Sequence, residues 1–549
     1  MKPIKLIYFI SSALIMLSSC YQGDTADLII HNARIYSCDS DFGIYQAMAI
    51  RDGKILQIGA EREILNGYKC DNIVDAELKP IYPGFYDAHC HFLNYAKTLR
   101  EVNLVGAKSF DEVISRIDQF VKENPNNDWI LGRGWDQTLW ENDSIFPTNE
   151  LLNKKYPNTP IFIKRIDGHA GLANLKALEL AGFNEYTNID GGQIIKSNGV
   201  LTGIIIDNAI DSLVKVIPDW TEEDKKQYLI KAQQKLFEQG LTSINDAGVI
   251  PADRDLFLQL YKDKTLLIND YMMLYTDDDN IEFASQNGIV KKNALHIRSF
   301  KIIADGALGS WGACLHKPYT DKSKQHGHLL HQINELKDIA NLAKTIGYQV
   351  NTHAIGDSAN TVMLKLYAEI IQDKPDHRWK IEHAQVLRPQ DFDYFETIGI
   401  IPSIQPTHCT SDMRWAEKRL GKDRVKYAYA YNTLLQKAGL VALGTDFPIE
   451  NISVLETFYA AISRKDKNGQ PKNGFQKENA LSRKDALMGI TYWAAFSNFE
   501  EHERGSLETG KNADFVILSK DIMRIDETDI LKTFVLSTYL NGKKVFSAN

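Results

Sequence analysis

Residues Pro83–His91 read "PGFYDAHCH": a Pro-Gly turn, then an extended run that ends in two histidines around a cysteine. Along a strand, alternate side chains face the same way. His89 and His91 therefore share one face, and Cys90 takes the other. Two imidazoles on one face can hold one cation, while the cysteine packs against whatever covers the back of the strand. Such a pair also occurs by chance, so the rest of the chain has to decide its meaning.

Further along, three other predicted strands end in side chains able to bind a metal: "YQVNTH" at His353, "WKIEH" at His383 and "LVALGTD" at Asp446. A fourth, "FKIIADG", carries Lys301 within an apolar run. Four neutral imidazoles and a carboxylate suit zinc or another divalent ion of intermediate softness. A lysine is costly to bury as an ammonium. Either a carboxylate pairs with it, or CO₂ has converted it to a carbamate, an anion able to bridge two cations.

The pattern around these residues alternates short β-branched runs with helical stretches such as "ELKDIANLAKTIG" and "TVMLKLYAEIIQD". The predicted strands are Ile81–His91, Leu241–Asp246, Leu266–Leu274, Arg298–Ala304, Gln349–His353, Trp379–His383, Ile400–Gln405 and Leu440–Asp446. Strand–helix units repeated in this way predict an α/β protein built on a (β/α)₈ barrel, whose chemistry sits at the C-terminal strand ends. The interval between the first and second strands far exceeds one crossover. It reads as a subdomain over residues 92–240, inserted above the mouth of a barrel spanning 81–499. Strand and hairpin signals at 21–80 and again at 500–549, including Asp52-Gly53 and Asn541-Gly542, predict a β-sandwich shared by both chain ends.

The start of the chain, "MKPIKLIYFISSALIMLSSC", has a charged beginning, a short apolar core and small residues before Cys20. That is the layout of a signal peptide over residues 1–20, with Cys20 as the lipidated residue of a bacterial lipoprotein. The expectation is an exported protein on the periplasmic or cell-surface side. It would be held to a membrane by its N-terminal lipid alone. The other five cysteines lack C-x-x-C spacing, and Cys38 with Cys70 is an undecided candidate pair. A net charge of −8 without basic blocks excludes nucleic acid as the expected partner. Homo-oligomerisation is left open.

The motifs "PGFYDAHCH", "RIDGHAGLANLKAL", "KIIADGALGSWGA", "NTHAIGDSA", "IEHAQ", "SIQPTH" and "LGTDFP" together resemble the metal-dependent amidohydrolase superfamily. The branch they resemble is amidohydrolase 3, with its YtcJ-like proteins and N-substituted formamide deformylases. The resemblance spans about residues 26–549. It implies a deformed barrel flanked by the two-ended β-sandwich. It further implies that His89 and His91 bind a first metal ion and that His353 and His383 bind a second. Lys301 would bridge the ions as its carbamate, and Asp446 would touch the first ion and shuttle the catalytic proton. Some relatives use one ion and no carbamate, so the expectation is one or two ions, Zn²⁺ for preference.

His169, within "RIDGHAG", is expected by the same resemblance to contact substrate. Asp305 and Gly306 follow Lys301, so the loop Asp305–Trp311 is expected to rim the site. Arg133, Trp135, Gln405 and His408 are weaker candidates. The activity implied is hydrolysis of a C–N bond in a small amide, formamide or related carbonyl compound. An ester or phosphoester hydrolase and a catalytically silent binding lipoprotein are the alternatives.

Overall fold

The computed structural model describes residues 24–548 except 126, 138–139, 141–144, 167, 190–191 and 372–375. The proposed signal peptide and Cys20 lie outside the described residues. Eight parallel strands form the central sheet in chain order: β1 (Phe85–Cys90), β2 (Leu241–Val249), β3 (Asn269–Tyr275), β4 (Leu295–Ile303), β5 (Gln349–Ala354), β6 (Lys380–His383), β7 (Ile401–Ile404) and β8 (Ala442–Leu443). The last strand returns to the first. The Asp446 amide donates to the His89 carbonyl (2.8 Å), and the His91 amide donates to the Phe447 carbonyl (2.9 Å). The sheet thus comes round into a nearly closed (β/α)₈ barrel.

Helices wrap the outside because their apolar residues recur every three or four positions. Helix Glu222–Glu238 buries Tyr228, Leu229, Ala232, Leu236 and Phe237 against the barrel. It begins in a capping box, in which the Thr221 hydroxyl accepts from the Asp224 amide and the Asp224 carboxylate accepts from the Thr221 amide.

The apolar run before the first histidine pair is two strands rather than one. Pro80–Pro83 joins the sheet of the chain ends, and the barrel strand begins only at Phe85. Gly84 makes the corner, since a side chain there would meet Thr242 Oγ1 at 2.2 Å. Pro80–Pro83 pairs with Phe515–Leu518 and Arg34–Tyr36, so both ends of the chain share a six-stranded sheet. A four-stranded sheet drawn from residues 28–75 faces it across Ile30, Ile35, Met48, Ile50, Ile81 and Phe515. Between β1 and β2 lies a separate six-stranded mixed sheet with its own apolar clusters. Cys38 and Cys70 are free thiols, so that candidate pair is not formed. Among the described residues, no helix is long and apolar enough to cross a membrane.

The seam between β8 and β1 makes one glycine indispensable. A Cβ on Gly444 would stand 2.5 Å from the His89 amide nitrogen and 3.0 Å from Asp87 Oδ1. Gly444→Ala should therefore destabilise the barrel by about 1–3 kcal/mol, read as a lower urea midpoint for the metal-free protein. An unchanged midpoint would show that the seam is looser than described.

Candidate metal centre

The structure brings His89, His91, Lys301, His353, His383 and Asp446 together at the C-terminal end of the barrel. The His89 ring centroid lies 5.5 Å from that of His91 and 5.0 Å from that of His383, and His383 lies 4.5 Å from His353. Lys301 Nζ is 3.1 Å from His89 Nε2. Asp446 Oδ1 is 3.1 Å from His91 Nε2 and 3.7 Å from His89 Nε2. Cys90 points away from this group, its thiol donating to the Asn245 carbonyl in the core between barrel and helices.

Hydrogen bonds decide which nitrogen of each ring faces inward. His89 Nδ1 meets Glu382 Oε2 (2.5 Å), His91 Nδ1 meets the Ala247 carbonyl (2.7 Å), and His383 Nδ1 meets Gln405 Oε1 (2.7 Å). All three partners are acceptors, so each Nδ1 carries the proton and each neutral ring turns an Nε2 lone pair toward the centre. Burial favours the neutral form. It pushes His353 down to about 3, His383 well below the ordinary imidazole range, and His89 in the same direction.

These lone pairs confront another acceptor. Asp446 Oδ1 lies within reach of His91 Nε2 yet has no hydrogen-bond donor, and His353 Nε2 and His408 Nε2 are likewise buried without one. Ligand atoms of His89, His383 and Asp446 lie within 4.8 Å of one another. Neutral imidazole nitrogens and a carboxylate oxygen facing one space, short of donors, fit a divalent cation with nitrogen and oxygen ligands.

Two of these residues leave the ordinary strand conformation. His383 and Ala384 have φ of 72° and 43°, and Asp446 has φ of 62°. Each such residue costs of order 1–3 kcal/mol and persists where the surroundings over-determine it. At β6 the turn lets consecutive residues, Glu382 and His383, both enter the barrel. Strict alternation forbids this, which is why Glu382 went unread in the sequence.

Lys301 is buried, and among the described residues it forms no ion pair with a carboxylate. Burial lowers its pKa, favouring the amine.

Other expected residues take different places. Asp305 is fully buried rather than on the rim. Its carboxylate accepts the amides of Cys314 (2.8 Å), Ile355 (2.9 Å) and Gly356 (2.8 Å), so it ties the β4 loop to the end of β5. The carboxyl is enclosed by these bonds. Gly306 packs against Gly312, where a Cβ would approach Gly312 Cα at 3.1 Å. His169 stands in the bend just before strand Ala170–Ala173 of the inserted sheet, its exposed ring meeting Asp207 at 2.9 Å. Trp135 is buried in that sheet, its indole donating to the Ile163 carbonyl.

Two weaker candidates do reach the centre. Gln405 orients His383, and His408 stacks on His383 with its Nε2 3.5 Å from Asp446 Oδ2. A cleft of about 1270 Å³ runs between the inserted sheet, at Glu101, Asn103 and Arg133, and the segments carrying Tyr95, Thr407 and Pro448. These segments follow β1, β7 and β8. The candidate ligand side chains themselves do not line the cleft.

Comparison with known proteins places this geometry in context. The model of the amidohydrolase family matches residues 72–546. Among similar proteins is YtcJ of Bacillus subtilis (strain 168), which bears the name amidohydrolase. It is 29% identical over 94% of this chain and 99% of its own. The N-substituted formamide deformylase of Arthrobacter pascens is 24% identical over 94% of this chain and 97% of its own. An uncharacterised metal-dependent hydrolase from Pyrococcus horikoshii superposes with a TM-score of 0.72 at 30% identity, covering 91% of this chain and 99% of that one.

If the inward lone pairs hold a cation, His383→Ala should lose at least half of the divalent metal that the wild-type chain retains after dialysis, measured by mass spectrometry of the metals. Equal retention in both would mean that the ion lies elsewhere.

Proposed function

The chain belongs to the amidohydrolase family, and from that premise we propose that it hydrolyses the C–N bond of a small amide, formamide or related carbonyl compound. The chain is a metal-dependent hydrolase of carbon–nitrogen bonds; the substrate class is the proposed part. The observation that carries the reading is the convergence of Nε2 lone pairs and the Asp446 carboxylate on one space at the barrel mouth.

His89, His91, His353, His383 and Asp446 would hold one or two ions, zinc being favoured by a donor set of imidazoles and carboxylate. A bound divalent ion supplies Lewis acidity and brings hydroxide within reach near neutral pH. Asp446 takes a proton from the attacking water as the water oxygen bonds to the carbonyl carbon. When the C–N bond breaks, the same carboxyl returns that proton to the leaving nitrogen, so amide and water become acid and amine. Its two oxygens are differently placed for this exchange, Oδ1 beside His91 and Oδ2 beside His408. The buried Lys301, which among the described residues meets His89 Nε2 but pairs with no carboxylate, supports a carbamate, since only a free amine adds CO₂. His169 and the backbone around Gly306 are the proposed substrate contacts.

Asp446→Asn should keep most of the bound metal but lose at least about 100-fold in turnover, as expected for removal of a general acid–base. The assay is a panel of N-formyl, N-acyl and cyclic amides, with esters and phosphoesters alongside, on metal-loaded enzyme. Activity on esters or phosphoesters alone would replace the amide reading. Wild-type rates in Asp446→Asn would remove the proposed shuttle.

The reading extends to residues 1–20 as a cleaved signal peptide and Cys20 as a lipidated N-terminus, supported by the small residues that precede the cysteine. Cys20→Ala should move the protein from the membrane to the soluble fraction on centrifugation. Continued sedimentation with membranes would point to another attachment.

A further inference from the structure

The inward-facing imidazoles are not held alike. His91 and His383 give their Nδ1 protons to neutral oxygens, the Ala247 carbonyl and the Gln405 amide. His89 gives its proton to a carboxylate, Glu382 Oε2, at 2.5 Å, with the two side chains 1% and 0% exposed. The other oxygen of Glu382 is buried without a donor, so the carboxylate serves no second hydrogen bond.

Charge beneath the centre is arranged around this residue. Lys380, two positions earlier on β6, points into the barrel on the same face as Glu382. Its Nζ meets Asn498 Oδ1 at 2.5 Å, and Asn498 in turn bonds to Asn245 and to the Tyr86 hydroxyl. Lys301 lies buried above it. A glutamate so enclosed is costly unless its charge is used.

We propose that Glu382 is a positioning residue for the metal centre: it fixes His89 with Nε2 inward and, as an anion, strengthens that nitrogen as a donor, so that cation affinity depends on its charge. The proposal rests on the metal-site reading above. Carboxylate partners of ligating histidines act in this way in general, and their loss commonly lowers metal affinity about 10- to 100-fold. A glutamate that merely filled the interior would tolerate an isosteric amide, because glutamine can still accept from Nδ1–H.

The test uses the full chain, stripped of metal and titrated with Zn²⁺ against a chromogenic chelator. Glu382→Gln should bind about 10- to 100-fold more weakly than wild type, and Glu382→Asp, which keeps the charge, should recover part of the loss. Equal affinity in wild type and Glu382→Gln would overturn the proposal while leaving the metal site standing. A wild-type chain without Zn²⁺ affinity would instead remove the reading on which it rests. Should Glu382→Gln fail to fold, the wild-type chain labelled with ¹⁵N-histidine decides. A strongly downfield Nδ1–H resonance from His89, lost in His89→Gln, supports the proposal, and an unprotonated Nδ1 overturns it.

Discussion

Two lone pairs that face each other in a buried site repel unless a positive charge lies between them. His91 Nε2 and Asp446 Oδ1 stand 3.1 Å apart, while the other nitrogen of His91 is committed to a carbonyl. The same commitment on His89 and His383 leaves their Nε2 atoms inward as well. The barrel end thus gathers acceptors, with Lys301 Nζ beside His89 Nε2 but no donor on Asp446 Oδ1, and a divalent cation fits the space between them.

The fold exists in a form that can bear this arrangement. Parallel barrel strands bring their C-terminal ends to one face, so candidate ligands far apart in sequence meet there. Closure of β8 on β1 is made by backbone bonds at His89, His91, Asp446 and Phe447, the proposed ligand positions and their neighbour. The proposed metal site and the barrel seam are therefore one structure, and Gly444 allows the close approach that both require. Behind the centre, Asp305 stitches the β4 loop to the end of β5. The inserted sheet forms one wall of the cleft that borders the mouth.

Much of this was legible in the sequence because it obeys local rules. Period-two alternation separated His89 and His91 from Cys90, and strand–helix alternation gave the barrel. The exceptions have physical causes. The break at Gly84 is a tertiary contact with Thr242 that no local pattern records. His383 breaks alternation, because its positive φ turns its side chain into the barrel beside that of Glu382. The Ala247 carbonyl that orients His91 is backbone and leaves no residue signature. Asp305 had the right address, directly after β4, but its carboxyl is consumed by three amides. His408 and Gln405, weak as isolated letters, take their importance from the histidine and carboxylate they meet.

X-ray absorption at the zinc edge of the metal-reconstituted protein tests the central claim most directly. The account predicts only nitrogen and oxygen neighbours at about 2.0–2.2 Å, with the outer-shell scattering of at least two imidazoles. Sulfur in the first shell, or no imidazole scattering, would contradict it.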